Sequence, residues 1–147
     1  MQMKLVSAFT GFLVMTFAAS ACAQDNFDYT KLISKDGGVD GVAQIDVTKA
    51  YELHNKGVLF IDVNSPRRYK FAHIPGAIGL DFRTMNEEKL SEHATTDQMI
   101  VFYCPSKSCY GAAQASAKAI TWGYTNVVIF KGGADAWKEA GYPIEGE

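Results

Sequence analysis

Apolar residues along this chain come in short runs, separated by mixed segments of helical length. Val58-Leu59-Phe60-Ile61 is the clearest run, uninterrupted as in a strand covered on both faces, and it closes on Asp62-Val63-Asn64-Ser65-Pro66. The same pattern predicts strands over 58–63, 78–80, 99–103 and 126–130, with helices over 47–56, 66–71, 86–93, 111–122 and 133–140 between and after them. Asp46 stands where the first helix needs an N-cap, Gly57 where it needs a left-handed stop, and Pro66 in the first turn of the second. Strands alternating with helices predict an α/β sandwich of three layers, a mostly parallel central sheet with helices on both faces. Phe60, Phe102, Trp122 and Trp137 are assigned to its packing, and His54 to solvent.

The N-terminal part of the chain reads differently from the rest. Met1 to Lys4 brings one positive charge, and Leu5 to Ala18 is a mostly apolar stretch too short for a membrane span and right for a secretory signal. Ala19-Ser20-Ala21-Cys22-Ala23 offers two ways of processing it. One is ordinary cleavage after Ala23, giving a signal peptide over 1–23 and a periplasmic or secreted protein. The other is lipidation of Cys22, giving an anchored lipoprotein; Ala19 is a weak residue for that motif, so ordinary cleavage is favoured. Residues 24–43 mix acids and glycines and are expected to be an N-terminal tether to a folded domain over 44–147. With 147 residues, 48% hydrophobic, and a formal net charge of −2, the chain suits one domain and argues against a nucleic-acid partner.

Candidate chemistry concentrates at Cys104. Ile100-Val-Phe-Tyr103 runs straight into this thiol, and after the polar loop Pro105 to Tyr110 come helix formers from Gly111 onward. A side chain at a strand-to-helix junction lies near the unpaired N–H groups that open the helix, which carry about half a positive charge. Such a place favours thiolate, the attacking form of cysteine. Cys109 lies in the same loop. A disulfide between the two would close so short a loop that it would restrict the unfolded chain little, which argues against a purely structural bridge. No third cysteine or nearby histidine completes a metal-binding set, and no dinucleotide fingerprint appears.

Leu59-Phe-Ile-Asp-Val63, then Tyr69 and Ala72-His-Ile-Pro-Gly-Ala-Ile78, resemble the N-terminal signature of the rhodanese family. Gly123-Tyr-Thr-Asn-Val-Val-Ile-Phe-Lys-Gly132-Gly133-Ala-Asp-Ala-Trp137 resembles that family's last core strand and the Gly-Gly turn after it. The resemblance spans residues 44–145 and implies the rhodanese-like sandwich with Cys104 as its catalytic cysteine. It implies a sulfurtransferase or persulfide carrier that needs no cofactor. Cys104 would take a sulfur atom from a thiosulfate- or persulfide-like donor and pass it to a thiol or protein acceptor. Backbone N–H groups over Ser106, Lys107, Ser108, Cys109, Tyr110 and Gly111 would cradle the persulfide, with Lys107 attracting anionic donors. His73 belongs to the turn as a structural residue, and Asp62 to a bond with local backbone.

This chain departs from the family pattern at three places. Cys109 replaces the arginine many members carry five residues after the cysteine, and Asn64 and Arg68 replace a usual arginine and acid. The last two changes either compensate each other or leave Arg68 as an auxiliary residue facing the site. Two further function classes stand beside sulfur transfer. One is a thiol–disulfide redox protein in which Cys109 resolves a persulfide or mixed disulfide on Cys104. The other is a non-catalytic binding module. Phosphatase chemistry on a related fold needs an arginine six residues after the cysteine, where Tyr110 stands. A membrane partner is expected only if Cys22 is lipidated.

Overall fold

Five parallel strands form one sheet in the computed structural model, which describes residues 28–147. In chain order the elements are β1 (Ala43–Ile45), α1 (Val47–Asn55), β2 (Leu59–Asp62), α2 (Pro66–Phe71), β3 (Ile78–Gly79), α3 (Glu87–Ser91), β4 (Ile100–Tyr103), α4 (Gly111–Thr121), β5 (Val127–Phe130) and α5 (Gly133–Glu139). The strands lie in the order β1-β5-β4-β2-β3, so β4, which delivers Cys104, is central. The signal peptide, Cys22 and the first residues of the expected tether lie outside the described residues.

Alternation along the strands builds two cores, one on each face. Ile61, Ile100, Phe102, Val127 and Ile129 point to the side covered by α4 and Leu90 of α3. Phe60, Val101, Tyr103, Val128 and Phe130 point to the other, against Ala50 and Leu53 of α1 and Trp137 of α5. Burying each large side chain of this kind contributes roughly 1.5–3 kcal/mol. The helix boundaries follow the expected signals. Asp46 accepts a bond from Lys49 N–H at 2.8 Å, Gly57 has φ of 77°, and Ser65 accepts from Arg68 N–H at 3.4 Å just before Pro66.

Two sequence expectations are corrected here. Residues 29–43 are not a tether: a 3-10 turn over Tyr29–Leu32 contacts α4, Val39 is buried, and Leu32 and Ile33 pack against the same core. Residues 43–45 then add a fifth strand, β1, beside β5. Exposed edge positions and the interspersed glycines and acids hid this segment, because its burial comes from partners distant in sequence. His54 is half-buried rather than solvated, with Nε2 2.8 Å from the Pro75 carbonyl oxygen and its ring edge-on to Phe60 and Trp137.

One charged group lies within the packing. Asp62 is fully buried at the end of β2. Its Oδ1 accepts from Asn64 N–H at 2.9 Å and from Asn64 Nδ2 at 2.6 Å, while Oδ2 has no hydrogen-bond partner among the described residues. Burial raises its pKa above the ordinary 3.8, against the lowering effect of the Asn64 bonds and the Tyr103 hydroxyl. The folded chain therefore holds this proton more tightly than the unfolded chain. Stability from this group is present below the ordinary carboxylate pKa and is lost as pH rises through the raised value. Asp62→Asn should remove that dependence while keeping an acceptor for Asn64. In urea unfolding at pH 4.5 and pH 7, the wild-type protein should lose ground relative to the variant at the higher pH; an unchanged difference would refute the assignment.

Candidate active site

Cys104 follows β4 directly and is 2% exposed. Helix α4 opens seven positions later, and its N-cap residue, Tyr110, makes no side-chain capping bond. The sulfurs take that role. Ala112 N–H donates to Cys104 Sγ at 3.3 Å, and Gly111 N–H donates to Cys109 Sγ at 3.4 Å. The two sulfurs are joined in a disulfide, Cα to Cα 6.0 Å. The open end of α4 is thus satisfied by the cysteine pair, where its partial positive charge supports a thiolate whenever the bond is open.

Helix α5 holds the loop from the other side. Ala134 N–H donates to the Cys104 carbonyl at 3.1 Å, and Asp135 N–H to the Pro105 carbonyl at 2.8 Å. This close approach needs the Gly132-Gly133 turn. Gly133 has φ of 63°, and a Cβ there would lie 2.0 Å from the Cys104 carbonyl oxygen. Gly111 is similarly confined, since a Cβ would lie 2.8 Å from the Phe82 ring and 3.0 Å from Cys104 Sγ.

The structure gathers some of the expected site residues and sets others aside. Cys104, Lys107, Cys109 and Tyr110 line one small cavity of about 10 Å³, walled also by Gly37, Ala112, Ile129 and Lys131. The cradle expected over 106–111 concerns a bound persulfide, whereas the structure holds the disulfide. Within 106–111 only Gly111 N–H reaches a sulfur, and that sulfur is Cys109; Cys109 N–H is already bonded to the Ser106 carbonyl at 3.1 Å. The amide on Cys104 belongs to Ala112, one residue beyond the expected range. Ser106 and Ser108 bond each other through their hydroxyls at 3.0 Å. Arg68 is exposed and lines a separate groove with Asn64, Phe71 and Pro105, so it does not face the sulfurs.

Lys131 and Gly37 are among the wall residues that the sequence did not point to. Lys131 follows β5 as Cys104 follows β4, and the register pairing Tyr103 with Phe130 sets the two side by side. The position beyond the carboxyl end of a parallel strand was its only sequence signal. Lys131 Nζ donates to the Asp36 carbonyl, which ties the N-terminal segment over the site. Gly37 packs there against Tyr110, a Cβ at this glycine falling 3.1 Å from the ring. Nothing local in residues 34–38 announces that contact.

His73 is structural, as expected. Its Nδ1 lies 2.8 Å from the Tyr69 carbonyl oxygen, its ring stacks on Tyr69, and its backbone pairs with Glu145 through bonds of 2.8 and 2.9 Å.

A parallel five-stranded sheet with a cysteine loop at the end of its central strand is the arrangement to set against known proteins. The family model described as rhodanese-like domain matches residues 46–140. The chain belongs to the rhodanese-like family. Among curated relatives, the thiosulfate sulfurtransferase GlpE of Vibrio cholerae is 30% identical over 109 residues, covering 73% of this chain and 98% of that protein. The thiosulfate:glutathione sulfurtransferase of Saccharomyces cerevisiae is 25% identical over 107 residues, covering 65% of this chain and 76% of that protein. Among solved structures, the rhodanese-like domain of the Anabaena sp. Alr3790 protein superposes with a TM-score of 0.63 at 25% identity, over 71% of this chain and 79% of that one. The rhodanese-like sandwich expected from the sequence is the observed fold, with a fully parallel sheet.

The Gly-Gly turn of this rhodanese-like domain should tolerate no side chain at its second position. Gly133→Ala is expected to lower unfolding free energy by more than about 3 kcal/mol. Gly41→Ala, also at positive φ (79°) but with nothing within 4 Å, should lower it by only about 1 kcal/mol. Equal losses in denaturant unfolding would show that the contact with the Cys104 carbonyl does not matter.

Proposed function

We propose that this chain is an exported sulfurtransferase or persulfide carrier with Cys104 as its sulfur-accepting nucleophile. The observation that carries the reading is the Ala112 N–H on Cys104 Sγ, at the N-terminus of a helix in a rhodanese-like domain. Relatives named as thiosulfate sulfurtransferases support a thiosulfate-like donor. In the reduced protein, the Cys104 thiolate attacks the outer sulfur of thiosulfate. The donor's S–S bond breaks, and sulfite leaves with the electron pair. An acceptor thiolate then attacks the outer sulfur of the Cys104 persulfide and returns Cys104 as thiolate. Cys109 Sγ now occupies the seat beside Cys104 that the outer sulfur needs, with Gly111 N–H aimed at it. Reduction of the disulfide vacates that seat.

Export is read from the sequence of residues 1–23; an exported chain would lie in the periplasm or outside the cell, or on a membrane if Cys22 is lipidated. An oxidising compartment suits the Cys104–Cys109 bond. That bond also favours a second reading, a thiol–disulfide redox protein in which the Cys109 thiolate resolves the persulfide, closes the disulfide and releases HS⁻.

The serine variants test both readings by intact mass of the reduced protein after thiosulfate. Cys104→Ser should gain no sulfur, while Cys109→Ser should gain one atom at a rate within about twofold of wild type. Adding an acceptor thiol should remove it. Loading that survives in Cys104→Ser would overturn the assignment of the nucleophile. Loading in neither wild type nor Cys109→Ser would favour a non-catalytic module. In the redox reading, wild type should lose the added sulfur as HS⁻ without any acceptor, and Cys109→Ser should retain it.

A further inference from the structure

We infer that the oxidised site is itself an acceptor for inorganic sulfide: HS⁻ opens the Cys104–Cys109 disulfide and remains on the protein as sulfane sulfur. This activity uses the same loop as sulfur transfer but needs neither thiosulfate nor prior reduction.

Three features of the site select this nucleophile. The disulfide sulfurs border a cavity of about 10 Å³, which holds no more than one water-sized molecule. Gly37 and Tyr110 close it on the side of the N-terminal segment. A monosulfide anion, with one heavy atom, needs far less space at these sulfurs than glutathione does. Lys107 and Lys131 line the same cavity, which favours an anion. Both sulfurs border the cavity, but they are unequal in exposure: Cys104 is 2% exposed, whereas Cys109 is half-buried. Attack therefore falls on Cys109, and Cys104 is the leaving group, its new charge held by Ala112 N–H.

The steps balance. HS⁻ forms a bond to Cys109 Sγ, the Cys109–Cys104 bond breaks, and its electron pair goes to Cys104 as thiolate. Cys104 thiolate then attacks the outer sulfur of the Cys109 hydropersulfide. Cys109 leaves with the electron pair and takes up the proton, and Cys104 carries the persulfide. Sulfide has been oxidised by two electrons and the disulfide reduced by two. A further turnover requires a protein or small-molecule disulfide to re-form the bond after the sulfur has been passed on.

The test uses the chain after signal cleavage, fully oxidised, with one equivalent of sodium sulfide under anaerobic conditions, an iodoacetamide quench and intact mass. Oxidised wild type should gain one sulfur and two alkyl groups, and wild type reduced beforehand should gain no sulfur, a comparison that needs no variant. Cys104→Ser and Cys109→Ser, lacking the internal disulfide, should take none from sulfide. Glutathione at equal concentration should open the bond at least about tenfold more slowly. Opening without retained sulfur, or opening by glutathione as fast as by sulfide, would overturn the inference. Thiosulfate loading of reduced Cys109→Ser is the separate measure of the sulfurtransferase reading, so either proposal can fail while the other stands.

Discussion

The backbone carbonyl of Cys104 is the fixed point of this molecule. It follows the central strand, and it accepts the Ala134 amide in the first turn of α5 at 3.1 Å across a turn that only glycine permits. The strand fixes the residue from behind, α5 clamps its carbonyl, and α4 points an N–H at its sulfur from 3.3 Å. Three elements, β4, α4 and α5, thus meet on one residue. Its side chain has little freedom, which is what preorganised chemistry needs: donors are in place before charge develops.

The rest of the architecture braces that junction. Tyr103, the last residue of β4, is buried, and its hydroxyl accepts the Ile74 amide at 3.0 Å, which links the central strand to the His73-Ile74-Pro75 turn. The turn is held in its own place by the pairing of His73 with Glu145 and by a bond from Gly76 N–H to the Glu145 carboxylate at 3.2 Å. Burial pushes the Tyr103 hydroxyl well above its ordinary pKa, with the Asp62 carboxylate acting in the same direction, so it serves as a neutral strut. Asp62, the other polar group here, is held by Asn64, the residue that replaces the family's usual arginine. Asn64 and Arg68 do not form a substitute pair. One anchors the turn after β2, and the other lies on the exposed face of α2.

On the opposite side, residues 28–45 finish the site. They cover α4, add the edge strand, and send a turn across the sulfurs that leaves a cavity of about 10 Å³ beside them. Cys109 stands in the loop where the family resemblance implies an arginine in many members, and the positive character of the site comes from helix amides and from Lys107 and Lys131. A site built this way has a sulfur atom of its own in the seat a transferred sulfur would occupy. The proposed sulfur transfer is therefore tied to the redox state of the site.

The sequence by itself determined the alternation of strands and helices, the helix-boundary signals at Asp46, Gly57 and Pro66, and the placing of Cys104 at a strand-to-helix junction. These depend on residues within a few positions of one another, where periodicity and backbone preference act directly. Only the tertiary structure decided which amide faces which sulfur, that Arg68 lies apart from them, that Lys131 stands beside Cys104, and that residues 29–43 are packed rather than trailing. Those outcomes come from strand order and from contacts spanning most of the chain. A local pattern records that Lys131 ends a strand, but not which strand lies next to it.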